Sequence, residues 1–304
     1  MEKWQNEDTN EPGPKGKVLI IGAAIIDVII KVAELPKSGQ DIFGKADQVT
    51  VGGCAYNVSS VLKQLCIPHD LLIPVGEGIC AKVIREELLK EEYPLLIEEP
   101  YDNGWSLCIV EEGGERTFIT IPGIETQWRE EWFQVIEIET YDYIYISGYE
   151  LEGPSGYIVT KALEKRKKEA KLIFDPSPRI NFIDESVVKK VLTKGTIVHS
   201  NKAELLCLTS ESSVEDGARA IFDKTAEPVI ITLGAEGTFF YTEEESDLIP
   251  SEPALVVDTI GAGDSHLACF IAGLAVNLSL REACAVGNGI ARLVVQQSGS
   301  KLVL

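Results

Sequence analysis

The stretch Val256-Val257-Asp258-Thr259-Ile260-Gly261-Ala262-Gly263-Asp264-Ser265 decides how this chain is read. An apolar run, Ala254 to Val257, enters a turn of small residues. Leu267, Phe270, Ile271 and Leu274 leave it at helical spacing. Gly261, Ala262 and Gly263 leave successive backbone N–H groups uncovered at a helix N-terminus, which holds an anion without a basic side chain. Asp264 then stands where that anion would sit. A carboxylate is unfavourable there unless it has chemistry to do, and the obvious chemistry is taking a proton from a hydroxyl that attacks phosphorus. The alternative is a Gly-rich strand-to-helix turn that Asp264 merely caps.

Composition bounds the rest. The 304 residues are 45% hydrophobic and 25% charged, ordinary for a soluble protein with a large core, in one large domain or two smaller ones. With 48 acidic against 28 basic residues the net charge is −20, which repels nucleic acid and anionic membranes. The seven cysteines (Cys54, Cys66, Cys80, Cys108, Cys207, Cys269, Cys284) are scattered and odd in number, without a Cys-x-x-Cys; reduced thiols in a cytoplasm fit best. The longest apolar run, Val18 to Ile30, is broken by Asp27 and too short to span a bilayer. Residues 1–16 are polar and expected to be a disordered tail, leaving 17–304 as the folded domain.

Short continuous apolar runs recur at Val18–Gly22, Leu71–Pro74, Tyr143–Ile146, Leu172–Phe174, Thr196–Val198 and Val229–Thr232. Helical patterns lie between them, at Asn57–Leu65, Ala81–Lys90, Gly156–Ala170, Ser186–Leu192 and Ser213–Asp223. Such alternation predicts an α/β fold around a mainly parallel sheet, with ligand sites at the strand C-termini. The basic run Lys161 to Lys171 reads as the solvated face of a helix. Two segments break the alternation. Ile42–Val51 and Trp105–Ile121 look like antiparallel strands, the second with a hairpin turn at Glu111-Glu112-Gly113-Gly114. They form either a small second sheet over a site or two edge hairpins.

Other segments carry chemistry in chain order. Asp27 ends the apolar Gly22-Ala23-Ala24-Ile25-Ile26, where a carboxylate needs a cap, an ion pair or hydroxyl donors from a polyol. Gly52-Gly53-Cys54-Ala55-Tyr56-Asn57 opens a helix, its glycines allowing close approach and its amide able to donate and accept. In Asn201-Lys202-Ala203-Glu204 the Asn and Glu share a helix face, as an N-cap with an exposed Glu or as oxygen donors to a cation. Thr232-Leu233-Gly234-Ala235-Glu236-Gly237 reads as a tight turn after a strand, either a plain hairpin or one lying against a nucleotide.

These residues resemble the signatures of the ribokinase/PfkB family of carbohydrate kinases: Gly-Gly-x-x-x-Asn at 52–57, Asn-x-x-Glu at 201–204, Leu-Gly-x-x-Gly at 233–237 and Asp-Thr-x-Gly-Ala-Gly-Asp at 258–264. The resemblance runs from Val18 to about Gly299. It implies a three-layer α/β/α sandwich with a β-sheet lid, at about 36–52 and 102–122, through which two copies pair. It implies that Asp264 is the general base and that Gly261, Ala262 and Gly263 form the anion hole. Sugar hydroxyls would meet Asp27, Gly52, Gly53 and Asn57. ATP would lie along Thr232, Gly234 and Gly237 with Asn288 near the adenine. Mg²⁺ would be held through water by Asn201 and Glu204, and K⁺ at Asp258 and Ile260. An acidic chain must hold ATP by such local dipoles and a metal rather than by its overall field.

The expected reaction is phosphorylation of a hydroxymethyl group of a small sugar. A nucleoside kinase such as a pseudouridine kinase is the close alternative, with Trp105, Phe118 or Trp128 as a base shelf or as packing. A non-catalytic sensor is the more distant one. Arg116 would meet an acidic substrate or a neighbouring Glu. The pattern departs from the family at His266 and Cys269, which replace an aromatic and a glycine. His266 reads as a packing or surface residue, and His199 and His69 lack metal-ligand spacing.

Overall fold

In the computed structural model, residues 16–113 and 115–297 are described, so residues 1–15 of the expected tail, Gly114 of the hairpin turn and the last seven residues lie outside them. The elements run in chain order as β1 (Val18–Ile21), β2 (Ile25–Val32), β3 (Lys45–Gly52), α1 (Cys54–Gln64), β4 (His69–Leu72), β5 (Pro74–Val75), α2 (Ile79–Lys90), β6 (Ile97–Glu98), β7 (Trp105–Glu111) and β8 (Arg116–Ile121). There follow β9 (Tyr143–Ser147), α3 (Gly153–Leu163), β10 (Lys171–Asp175), α4 (Glu185–Val191), β11 (Thr196–Asn201), α5 (Lys202–Thr209), α6 (Val214–Thr225), β12 (Val229–Thr232), β13 (Gly237–Tyr241), β14 (Ser246–Pro250), α7 (Ala262–Ala275) and α8 (Leu280–Val294).

Eight strands form the main sheet in the order β14-β13-β12-β11-β10-β9-β1-β4, parallel except at β12–β13 and β13–β14. Successive residues of each strand serve opposite faces. Ile20, Ile173, Ile197 and Ile230 pack towards α1, α7 and α8, whereas Leu19, Leu172, Val198 and Ile231 pack towards residues of α3 to α6. Both faces are therefore covered, which is why the strands read as continuous apolar runs. This is the α/β fold around a mainly parallel sheet that the alternation predicted, layered as the resemblance implies.

The smaller sheet has the order β3-β2-β7-β8. It takes one more strand than the sequence reading assigned to it. The strand read at Val18–Gly22 is β1, but the apolar run beyond it is a second strand in the other sheet, with Asp27 in its interior rather than at a strand end. The Gly22 N–H makes the last bond of the first ladder, to the Leu72 carbonyl, and the Ile26 N–H begins the second, to the Gly104 carbonyl. A second correction concerns the basic run. α3 ends at Leu163, and the Lys165 and Arg166 N–H groups turn back to Ala162 and Leu163, so most of Lys161–Lys171 is turn rather than helix.

Candidate active site

The parallel strands β9, β10, β11 and β12 all end on one side, and Asp175, Asn201 and Thr232 at their C-termini line one cleft with Gly261, Gly263 and Asp264. This is the edge where open α/β sheets bind ligands. Asp264 lies in the first turn of α7, whose N-cap Gly261 has a φ of 75° that costs any side chain strain. The Asn57 Nδ2 donates to Asp264 Oδ2 at 2.8 Å, and the Cys54 thiol donates to the same carboxyl group. Burial raises the Asp264 carboxyl above its ordinary range, and those two donors oppose the rise.

The turn is less open than its sequence suggests. Ile260 N–H donates to Asp258 Oδ1 at 2.8 Å and Ala262 N–H to the Thr259 carbonyl at 3.3 Å. Gly261 and Gly263 are the members of the turn that line the cleft. A Cβ on Gly263 would meet nothing of the protein, so the space over that peptide is available to an approaching group.

Asp27 comes from the smaller sheet. It is paired in register with Thr50 on β3 and Ser106 on β7, and Ser106 with Thr120 on β8. Residues directly opposite share a face, and the Thr120 hydroxyl donates to the Ser106 hydroxyl at 3.4 Å. A Cβ on Gly52 would collide with Asp27 Oδ2, so the bare backbone at 52 fixes where that carboxylate stands. Burial, and second the Asp264 charge, push Asp27 up to about 7.

Asn201 and Glu204 form a capping box: the Glu204 N–H donates to Asn201 Oδ1 and the Asn201 N–H to Glu204 Oε2, each at 2.9 Å. Asn201 is thus the N-cap, Glu204 is its partner rather than an exposed residue, and both border the cleft. Gly234 sits at φ 61° in open space, whereas Gly237 is pressed against the Ile249 carbonyl. Gly237 is thus a packing glycine and Gly234 the exposed one. Asn288 is buried and engaged inside the protein, accepting from the Thr238 hydroxyl at 2.7 Å and donating to the Ile249 carbonyl at 2.9 Å. His266 is buried too, its Nε2 2.8 Å from Thr238 Oγ1 and its Nδ1 2.8 Å from His199 Nε2. Burial keeps both rings neutral, holding His266 down at about 4. His69 is tied to Ser59 and the Ile67 carbonyl, and Cys269 is in the core. Trp128 packs against Trp132 and Phe133 in the core, not in the smaller sheet.

Sequence reasoning missed Asp175. Its signal was the one that marked Asp27, an acid closing a buried strand. Ligand atoms of Cys54, Asp175 and Asp264 lie within 4.8 Å of one another. Burial and the Glu204 and Asp264 charges hold Asp175 well above its ordinary value, and burial with the Asp264 charge raises Glu204. Clustered carboxylates that raise one another are relieved by a divalent cation, and hard oxygen donors suit Mg²⁺. Ser200 Oγ, buried in the same cleft, makes no hydrogen bond within the described residues. The Asp175 and Glu204 carboxylates therefore fit a hard divalent cation, whereas the Cys54 thiol does not.

A model described as "pfkB family carbohydrate kinase" matches residues 15–304. The chain belongs to the pfkB family of carbohydrate kinases. A relative described as "Uncharacterized sugar kinase YegV" of Escherichia coli (strain K12) is 37% identical over 289 residues, covering 93% of this chain and 89% of that one. Among solved structures, the ribokinase of Arabidopsis thaliana complexed with ribose and ATP gives a TM-score of 0.78 at 23% identity, covering 95% of each chain. The nucleoside kinase of Methanocaldococcus jannaschii gives 0.76 at 18% identity, covering 95% of this chain and 94% of that one. At such identities these likenesses speak for the fold. This pfkB chain is a sugar kinase with a ribokinase-like fold, and no helix among its described residues is long and apolar enough to cross a membrane.

Proposed function

We propose that this sugar kinase phosphorylates a hydroxymethyl group of a small neutral sugar, with Asp264 as general base. The observation that carries the reading is the Asn57–Asp264 hydrogen bond of 2.8 Å at the mouth of the Gly261–Gly263 turn. Asn57 aims the carboxylate, and the cleft leaves room beside it for an alcohol and a phosphate tail. Asp264 accepts the hydroxyl proton as that oxygen attacks in line. The Gly261 and Gly263 N–H groups and the α7 dipole stabilise charge on the transferring phosphoryl. Asn201, Glu204 and Asp175 would hold Mg²⁺, which neutralises phosphate charge when bound. Thr232 and Gly234 border the nucleotide path.

The acceptor face is the polar row Thr50, Asp27, Ser106 and Thr120. Hydroxyls and one carboxylate suit a polyol. A buried Trp128 removes one of the three candidate base shelves and leaves Trp105 and Phe118. The smaller sheet acts as a lid that excludes water from the transfer, and residues 17–304 form one kinase domain carrying it. Its exposed Val49, Phe118, Ile119 and Ile121 support pairing of two copies through the lid. Seven free cysteines suit a cytoplasm. The test is a panel of neutral sugars, acidic sugars and nucleosides with ATP and Mg²⁺, read by ADP release. Turnover confined to nucleosides, or absent throughout, overturns the reading.

A further inference from the structure

The Asp258 carboxylate is where the family resemblance puts K⁺, and the residues do not fit that ion. Asp258 Oδ1 lies 2.8 Å from Arg116 Nη1, and the same nitrogen donates to Thr259 Oγ1 at 3.1 Å. Both partners are mostly shielded from water, with 17% and 8% of their side chains exposed. The guanidinium already supplies a positive charge at this carboxylate, so a second cation there would be repelled.

Arg116 opens β8 of the smaller sheet, whereas Asp258 lies 142 residues on, in the loop that leads into the Gly261 turn. The other side of that loop is already tied down, with Val257 and Asp258 N–H both donating to the Val295 carbonyl beyond α8. Asp258 in turn receives the Ile260 N–H. The loop is thus gripped from α8 on one side and from the smaller sheet on the other, and its next residues present the anion-binding peptides.

We infer that Arg116 is a positioning residue that takes the place of a monovalent cation: the lid brings its own fixed positive charge to Asp258 and so shapes the Gly261–Gly263 turn for the phosphoryl group. Lid docking and assembly of the anion site become one event, and turnover needs no K⁺. The activity half of this rests on the kinase reading; the loop-holding half does not.

The test compares wild type, Arg116→Gln and Arg116→Lys, with tetramethylammonium as sole monovalent cation and then with KCl added. The wild-type rate is expected to be unchanged by K⁺. Arg116→Gln should lose about 10- to 100-fold in kcat without K⁺, the scale of a misplaced catalytic group, and regain part of it with K⁺ or guanidinium ion. Arg116→Lys should fall between. Several-fold K⁺ stimulation of the wild type overturns the inference, as does an Arg116→Gln enzyme as fast as wild type in tetramethylammonium. Amide hydrogen exchange of residues 258–263 without substrates gives the second readout. Faster exchange in Arg116→Gln supports the role, and equal exchange refutes it. A protein that turns over no acceptor fails the kinase reading, while the exchange result still judges Arg116.

Discussion

Asn57 in α1 donates its side-chain N–H to the Asp264 carboxylate in α7, 2.8 Å away across 207 residues of chain. One amide thereby ties two distant helices together at the cleft, and it opposes the rise that burial imposes on the Asp264 carboxyl.

Replacing Asp264 by Asn or Ala should lower kcat by at least ~10²-fold, the low end for loss of a general base. Circular dichroism and Tm should stay near wild type. Near-normal turnover in a folded variant would sink the assignment.

Asn57→Ala removes a donor that holds the Asp264 proton affinity down against burial. The carboxyl should then titrate higher. Because the base must be ionised, the acidic limb of the kcat profile should move to higher pH, with KM for the acceptor rising as well. A pH–rate profile superposable on wild type would count against the contact.

Gly263→Ala separates stability from function. Its Cβ meets no protein atom, and Ala in a helix is better than Gly by about 0.5–1 kcal/mol. Tm should hold or rise, while the methyl group obstructs the phosphate and ATP turnover falls at least ~10-fold, on the scale of losing an oxyanion donor. Unchanged kcat/KM for ATP would place the phosphate elsewhere.

Asp27→Asn should weaken acceptor binding about 10-fold or more, the scale of a charge-assisted hydrogen bond. It should also change the pH dependence of stability. The folded carboxyl titrates at about 7 against an ordinary 3.8, so the folded state holds the proton more tightly. That contribution is full below the ordinary value and is lost as pH rises through about 7. The Asn variant has no such loss. Its Tm relative to wild type should therefore improve from pH 4 to pH 7.5, and a difference independent of pH would contradict the burial argument.

Asn288→Ala leaves the Thr238 hydroxyl without its acceptor and the Ile249 carbonyl without its donor. A cost of about 1–3 kcal/mol in unfolding free energy is expected, with KM for ATP little changed. A large KM effect with normal stability would restore a direct nucleotide contact.

Local composition was enough to give the layered α/β fold and to single out Asp27, Asn57, Asn201, Glu204 and Asp264 as candidates. Runs such as Leu172–Phe174 and Val229–Thr232 are apolar on both sides because both sheet faces are covered, and local composition carries that fact. Asp264 was legible because a carboxylate on a bare-peptide turn conflicts with local electrostatics. Pairings between distant segments were not legible and came with the folded chain. Nothing near Arg116 names Asp258 as its partner, and nothing near His199 names His266. The switch of Ile25–Val32 into the second sheet was hidden because an apolar strand looks alike in either sheet. Asp175 acquires its meaning only when parallel strands end side by side and gather their last residues at one cleft. Local patterns encode what each segment must bury, whereas long-range register and docking set which charges meet.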